Sequence, residues 1–134
     1  MNNKLAFLLI LLTFGLNSCD NLTPKESFDK VVYDEYHYKY EGIIIDKYID
    51  KQNHATPIII IRNEIFGDNK KDFIFQSSDF FDFFKVGDTI SKKRKSLLIN
   101  IKRKDLDTLM KLDFGKFKRN EKYYSENKYI NELE

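Results

Sequence analysis

Few side chains in this sequence are of the kinds that carry out chemistry. Its 134 residues include one cysteine, Cys19, and two histidines, His37 in an aromatic run and His54 in a polar loop. Neither histidine has a Cys or His partner at ligand spacing, so no metal site and no cofactor is expected. Asp79 and Asp82 are a carboxylate pair that could serve as acid and base, the arrangement of glycosidases. On a short helix, however, they read as two ordinary surface carboxylates, and a core of this size leaves little room for a glycosidase cleft. Gly-x-Ser-x-Gly and phosphate-cradling glycine loops are absent from the sequence. No residue is assigned a catalytic role, and a non-enzymatic protein is the reading.

The amino end is more informative. Lys4 supplies positive charge, and Leu5 through Leu16 form an apolar run broken only by Thr13 and Gly15. That run is too short to cross a hydrocarbon layer of roughly 30 Å as a helix, which marks residues 1–18 as a signal peptide and not an anchor. Directly behind it stands Leu16-Asn17-Ser18-Cys19. This stretch resembles the lipobox of bacterial lipoproteins. Small Ser18 suits a peptidase cutting before Cys19, while Asn17 departs from the usual occupants. The resemblance implies lipid on the Cys19 sulfur and on its freed amino group. Two or more acyl chains hold a protein firmly on a membrane, where one does so only marginally. Lipidation would also consume the only thiol nucleophile. The competing readings are an ordinary signal peptide with a coincidental cysteine, or a buried amino-terminal helix. The expected location is the cell envelope, lipid-anchored. Asp20 after the cysteine is associated with inner-membrane retention in enteric-type bacteria but not in other phyla, so the choice of membrane stays open.

Removal of residues 1–18 leaves 116 residues, the size of one domain. Residues 19–23 form a short lipidated tether, and 24–134 a single small β-rich domain without a disulfide. Its charge is uneven. Residues 19–90 carry 14 acidic and 9 basic side chains, whereas 91–134 carry 13 basic and 7 acidic. The densest basic stretch is Lys92-Lys93-Arg94-Lys95, followed by Lys102-Arg103-Lys104. One reading is contact with phosphate or anionic lipid head groups. The other is a solvated hairpin tip with edge-strand lysines that discourage aggregation. Nucleic acid is a poor partner for an exported chain.

These residues must be positioned by a small number of elements. Thr23-Pro24-Lys25-Glu26 carries the marks of a helix start: a threonine cap, proline at the first helical position and glutamate at the third. Phe28, Val31, Val32 and Tyr36 continue at helical spacing, while Val32, Asp34, Tyr36, Tyr38 and Tyr40 alternate as a strand would, so the helix should end before Tyr38. Strands follow at Ile43–Ile49, at Ile58–Ile61 behind Pro57, and at Asp72–Phe75. Four consecutive isoleucines indicate a strand covered on both faces. Ser77 should cap one helical turn bearing Phe80, Phe81, Phe83 and Phe84. These rings either plug the open end of a barrel, with one partly exposed, or form an apolar contact patch. Val86-Gly87-Asp88-Thr89-Ile90 reads as a tight turn entering a strand with Ile90 inward. Ser96–Lys102 and Thr108–Phe114 complete six strands, and the tail beyond Gly115 forms a terminal helix or strap.

The expected fold is mainly β: a small antiparallel barrel or rolled sheet, SH3-like or OB-like, preceded by a short helix. The Val-Gly-Asp-Thr-Ile turn is similar to one that recurs in such barrels. Together with the lipobox and the isoleucine strands, it gives the chain a resemblance to the small uncharacterised lipoproteins abundant in Bacteroidetes-type bacteria. That resemblance implies location and size and carries no active site. The leading functional expectation is a membrane-anchored protein that binds another envelope protein or supports an assembly. Its surface would combine Phe80, Phe81, Phe83 and Phe84 with Lys92, Lys93, Arg94 and Lys95. Two alternatives are a glycan or small-ligand binder using Tyr33, Tyr36, Tyr38 and Tyr40 as stacking surfaces, and an immunity-type lipoprotein.

Overall fold

Thr23 starts the first element as its neighbours dictate. Its side chain accepts a hydrogen bond from the Glu26 N–H at 3.2 Å, while the Glu26 carboxylate accepts from the Thr23 N–H at 2.8 Å. This reciprocal pair satisfies donors that a helix end leaves open. The resulting helix α1 spans Pro24–His37, buries Phe28, Val32 and Tyr36, and ends at Tyr38, which is extended. The competing strand alternation is thereby resolved in favour of helix as far as His37. The structure is a computed structural model that describes residues 22–132; the expected signal peptide, the expected lipobox residues Leu16, Asn17 and Ser18, and Cys19 lie outside the described residues.

Six strands follow: β1 Tyr40–Asp50, β2 Thr56–Asn63, β3 Gly67–Asp72, β4 Thr89–Lys92, β5 Leu98–Arg103 and β6 Leu106–Lys111. They form one antiparallel sheet in the order β3-β2-β1-β4-β5-β6. Two three-stranded meanders thus join where β1 meets β4. The link between them carries a short helix α2, Ser78–Phe83, whose cap is Ser77 as expected. Beyond β6 the chain makes a 3-10 turn at Gly115–Asn120 and two short helices, α3 Glu121–Glu126 and α4 Lys128–Asn131.

The sheet does not close, which corrects the expected barrel of SH3-like or OB-like type. Strands β3 and β6 end the order and do not pair with each other. The reason lies in what covers the sheet. Ile44, Ile59, Ile61, Ile90, Ile99 and Ile101 share one buried cluster with Phe28, Val32 and Tyr36 of α1, with Phe80 and Phe81 of α2, and with Phe114. Helical segments supply the apolar cover that a second wall of strands would provide in a barrel. The carboxyl-terminal tail takes part, since the Phe117 and Tyr124 rings lie 5.1 and 5.2 Å from that of Phe28.

Two strand positions also differ from expectation. The third strand is Gly67–Asp72, not Asp72–Phe75. It is a polar edge strand, so hydrophobicity does not announce it, whereas Phe73 is buried just beyond its end, where the Gln76 N–H turns back to the Phe73 carbonyl. The sixth strand ends at Lys111; Leu112 and Phe114 are buried outside it, and Phe114 has φ of 46°, which turns the chain out of the sheet. Strand β2 meets its expectation, because adjacent Ile58 and Ile59, on opposite faces, are both buried. Beside it, Gly42 has φ of +150°, and a Cβ there would lie 2.2 Å from the Arg62 carbonyl oxygen. Glycine is required where β1 and β2 backbones approach this closely.

Candidate interaction surface

The residues singled out in the sequence separate into buried and exposed groups. Phe80, Phe81 and Phe84 are buried, and Phe83 is half-buried with the Arg103 guanidinium 5.5 Å from its ring. Four rings are therefore not presented as a patch; three fill the core. Lys92 is buried as well, and its Nζ donates to the carbonyls of Tyr38 at 2.7 Å and Lys93 at 3.3 Å. As the last residue of β4 it shares the inward face with Ile90, and it places a cation at the carboxyl end of α1, where the helix dipole favours one. Lys93, Arg94 and Lys95 remain exposed in the β4–β5 turn.

The tyrosine series divides similarly. Tyr36 and Tyr40 are buried while Tyr33 and Tyr38 are exposed, so no continuous stacking surface of four rings exists. His37 packs its ring 4.2 Å from that of Tyr33, and its Nδ1 lies 2.9 Å from the Tyr33 carbonyl oxygen. His54 sits in the β1–β2 turn with φ of 53°. Asp79 and Asp82 are exposed on α2. Among the described residues, no group of three His, Cys, Asp or Glu side chains is placed to hold a metal, and no helix is long and apolar enough to cross a membrane.

Register brings a different apolar element next to the basic turn. Tyr40 of β1 pairs with Lys92 of β4, and Ile43 pairs with Arg62 of β2, so the β2–β3 and β4–β5 turns project from the same end of the sheet as the start of β1. Their midpoints are separated by three strand spacings, about 14 Å. At the tip of the β2–β3 turn, Ile65 and Phe66 are 82% and 83% exposed. They are held there by Asn63, whose Oδ1 accepts from the N–H groups of Ile65 at 2.9 Å and Phe66 at 3.1 Å, and whose Nδ2 donates to the Glu41 carbonyl. Gly67, at φ of +76°, lets the chain re-enter the sheet. Asn69 ties the hairpin to the residue that follows α1 by donating to the Tyr38 hydroxyl. The β4–β5 turn is fixed in the same manner, with the Ser96 N–H donating to the Tyr36 carbonyl and the Leu98 N–H to the Ser96 hydroxyl.

Beside the apolar tip, against the start of β1, lies a pocket of about 360 Å³ lined by Lys39, Tyr40, Glu41, Asn63, Phe66 and Asn69. Burial pushes the Tyr40 hydroxyl pKa well above its ordinary value, and the nearby Glu35 carboxylate adds to the shift. Among the described residues, neither Tyr40 Oη nor Glu35 Oε2 has a hydrogen-bond partner, although Glu35 Oε1 is bonded to Lys71 Nζ. This end of the molecule therefore combines a projecting apolar tip, a shallow mixed pocket and a basic tip on a braced frame. Sequence reasoning missed Ile65 and Phe66; two large apolar residues beside a glycine turn were the available signal. No known protein family, curated protein or solved structure matches the chain.

Proposed function

We propose that this chain is a lipid-anchored, non-enzymatic envelope protein that binds another protein through the end of the sheet carrying Ile65, Phe66, Lys93, Arg94 and Lys95. The observation that carries this reading is the exposure of Ile65 and Phe66 on a turn braced by Asn63. Large apolar side chains held rigidly in water are characteristic of contact sites, and aromatic anchors supply much of the binding energy at interfaces. The basic tip about 14 Å away adds electrostatic selection, so the partner is an acidic surface with an apolar recess for Phe66.

The described chain enters α1 at Thr23, and the 14 residues of the helix separate that point from Tyr38 by about 21 Å. Anchoring itself follows from the lipobox resemblance at Leu16–Cys19. Cys19→Ser should release the protein from membranes, and retention after a high-salt wash would refute the lipid.

Crosslinking in living cells, membrane extraction and affinity capture through a carboxyl-terminal tag test the binding reading. A stoichiometric envelope protein that is lost in both Phe66→Ser and Lys93→Glu supports it. A partner retained by both variants contradicts the surface. The pocket beside Tyr40 favours a second reading, a glycan or small-ligand site, because Phe66 and Asn69 line it together. Under that reading, Phe66→Ser abolishes retention on an envelope polysaccharide, and the parent chain captures no protein.

A further inference from the structure

The two edges of the sheet differ in how they would meet a copy of themselves. Strand β6 has no neighbour beyond β5 among the described residues. The Leu112 N–H donates to the Leu97 carbonyl at 2.9 Å, in register with the β5–β6 ladder. By the alternation of an antiparallel ladder, Met110, Thr108 and Leu106 then bond inward to β5, and the N–H and C=O groups of Asp107, Leu109 and Lys111 point outward. All three side chains are exposed, Leu109 at 62%.

We infer that two copies of this chain pair edge to edge through β6, antiparallel, about a two-fold axis at Leu109. Only a register centred there lets the outward groups of Leu109 bond their symmetry equivalents directly. The same register sets Asp107 against Lys111 of the second copy, twice by symmetry, and Thr108 against Met110. Opposite charges across a strand pair stabilise it, and like charges destabilise it. The other edge shows the contrast. The Phe73 N–H donates to the Pro57 carbonyl in register with the β2–β3 ladder, which leaves Asp68, Lys70 and Asp72 of β3 facing outward. Self-pairing about Lys70 would set lysine against lysine and aspartate against aspartate. Edge β3 thus repels its own copy, which is how exposed edges are kept single, while β6 carries no such defence against its own copy.

The contacts each side chain already makes are compatible with pairing. Asp107 accepts from Asn100 Nδ2 at 2.8 Å and lies 3.2 Å from Lys102 Nζ, yet its side chain is 62% exposed. Lys111 Nζ donates to the Ile130 carbonyl at 2.8 Å, an exposed contact that can be exchanged. An axis perpendicular to the sheet keeps the helical layers of both copies on one side and points their Phe66 tips in opposite directions. If Cys19 is lipidated as proposed above, the amino ends of both α1 helices then stand in the same layer, which suits attachment to one membrane; the pairing itself does not depend on that reading.

The test uses the full chain in membranes. Residues facing each other in a hydrogen-bonded antiparallel pair have Cα atoms about 5.5 Å apart, within disulfide reach. Leu109→Cys should therefore form a disulfide dimer under mild oxidation, with the parent chain, which retains Cys19, reporting background. Yield no greater than the parent's overturns the inference. With Leu109 intact, sedimentation of the detergent-solubilised chain should show Asp107→Lys weakening the dimer roughly tenfold and Asp107→Lys with Lys111→Asp restoring it. A dimer unaffected by Asp107→Lys, or one not restored by the exchange, also overturns it.

Discussion

Arg103 holds Asp88 with two donors, Nε and Nη2, each 2.6 Å from a different carboxylate oxygen. The pair joins the end of β5 to the turn that enters β4. Asp88 is fully buried, and its carboxylate also accepts from the Lys85 N–H at 2.8 Å. The remaining reach of Arg103 goes to the Phe83 carbonyl at 2.9 Å, at the end of α2. One guanidinium therefore fixes both the crossover helix and the Val86–Ile90 turn against the sheet. The Asp88 backbone extends the same junction, since its carbonyl accepts from the Ile44 N–H of β1.

Removing the cation should cost more than removing the pair. Arg103→Met leaves a buried carboxylate with its chief partner gone and should lower stability by about 3 kcal/mol. Adding Asp88→Asn to that variant should recover a substantial part, because the uncompensated charge is gone. Thermal melts of the two single variants and the double variant measure the coupling directly.

Acid should weaken the same junction. Burial pushes the Asp88 carboxyl up, but the hydrogen bonds from Arg103 and the Lys85 N–H prevail and hold it below its ordinary value of 3.8. A folded pKa below the unfolded one contributes stability that is complete above the unfolded value and is lost as pH falls through the folded value. Stability of the parent chain should therefore hold to about pH 4 and fall below it. Arg103→Met should show a shallower decline over that window in denaturant titrations.

Gly42→Ala should destabilise the sheet although it adds a single methyl group. The added Cβ would fall 2.2 Å from the Arg62 carbonyl oxygen and 2.8 Å from Ile61 Cγ2, where backbone cannot yield cheaply. A loss of about 2–3 kcal/mol is expected by urea unfolding. A neutral outcome would mean that β1 and β2 can separate locally.

Two phenylalanines should behave in opposite ways. Phe80, buried and 5.5 Å from the Phe84 ring, should cost about 3 kcal/mol or more as Phe80→Ser. Phe66, projecting into solvent, should change stability by no more than about 0.5 kcal/mol as Phe66→Ser while removing partner binding. Melting curves paired with affinity capture separate the two effects.

What the sequence disclosed was local. The helix start at Thr23–Glu26 depends on residues within one turn, and it forms with both hydrogen bonds of the capping box. The isoleucine strands and the Ser77 cap follow from short-range pattern in the same way. What it concealed depends on pairing across distance. Strand β3 has a charged sequence and becomes a strand because β2 offers it a ladder. Asp88 reads as a turn residue until Arg103 reaches it from β5. Lys92 belongs in sequence to a basic cluster, yet the alternation that turns Ile90 inward turns it inward too, a signal the charge run obscures. Closure of the sheet was not legible either, because it depends on whether α1, α2 and the tail cover the open face first.

The proposed meeting of a protein partner with the end of the sheet bearing Phe66 and Arg94 can be read in living cells. Photocrosslinking amino acids are placed singly at Phe66, at Arg94 and, at the opposite end of the sheet, at Asn53. One adduct of the same mass is expected from Phe66 and Arg94, diminished at Arg94 by raised salt after cell breakage, and none from Asn53. Adducts from Asn53 alone, or none from either tip while the protein is abundant, would refute the proposed surface.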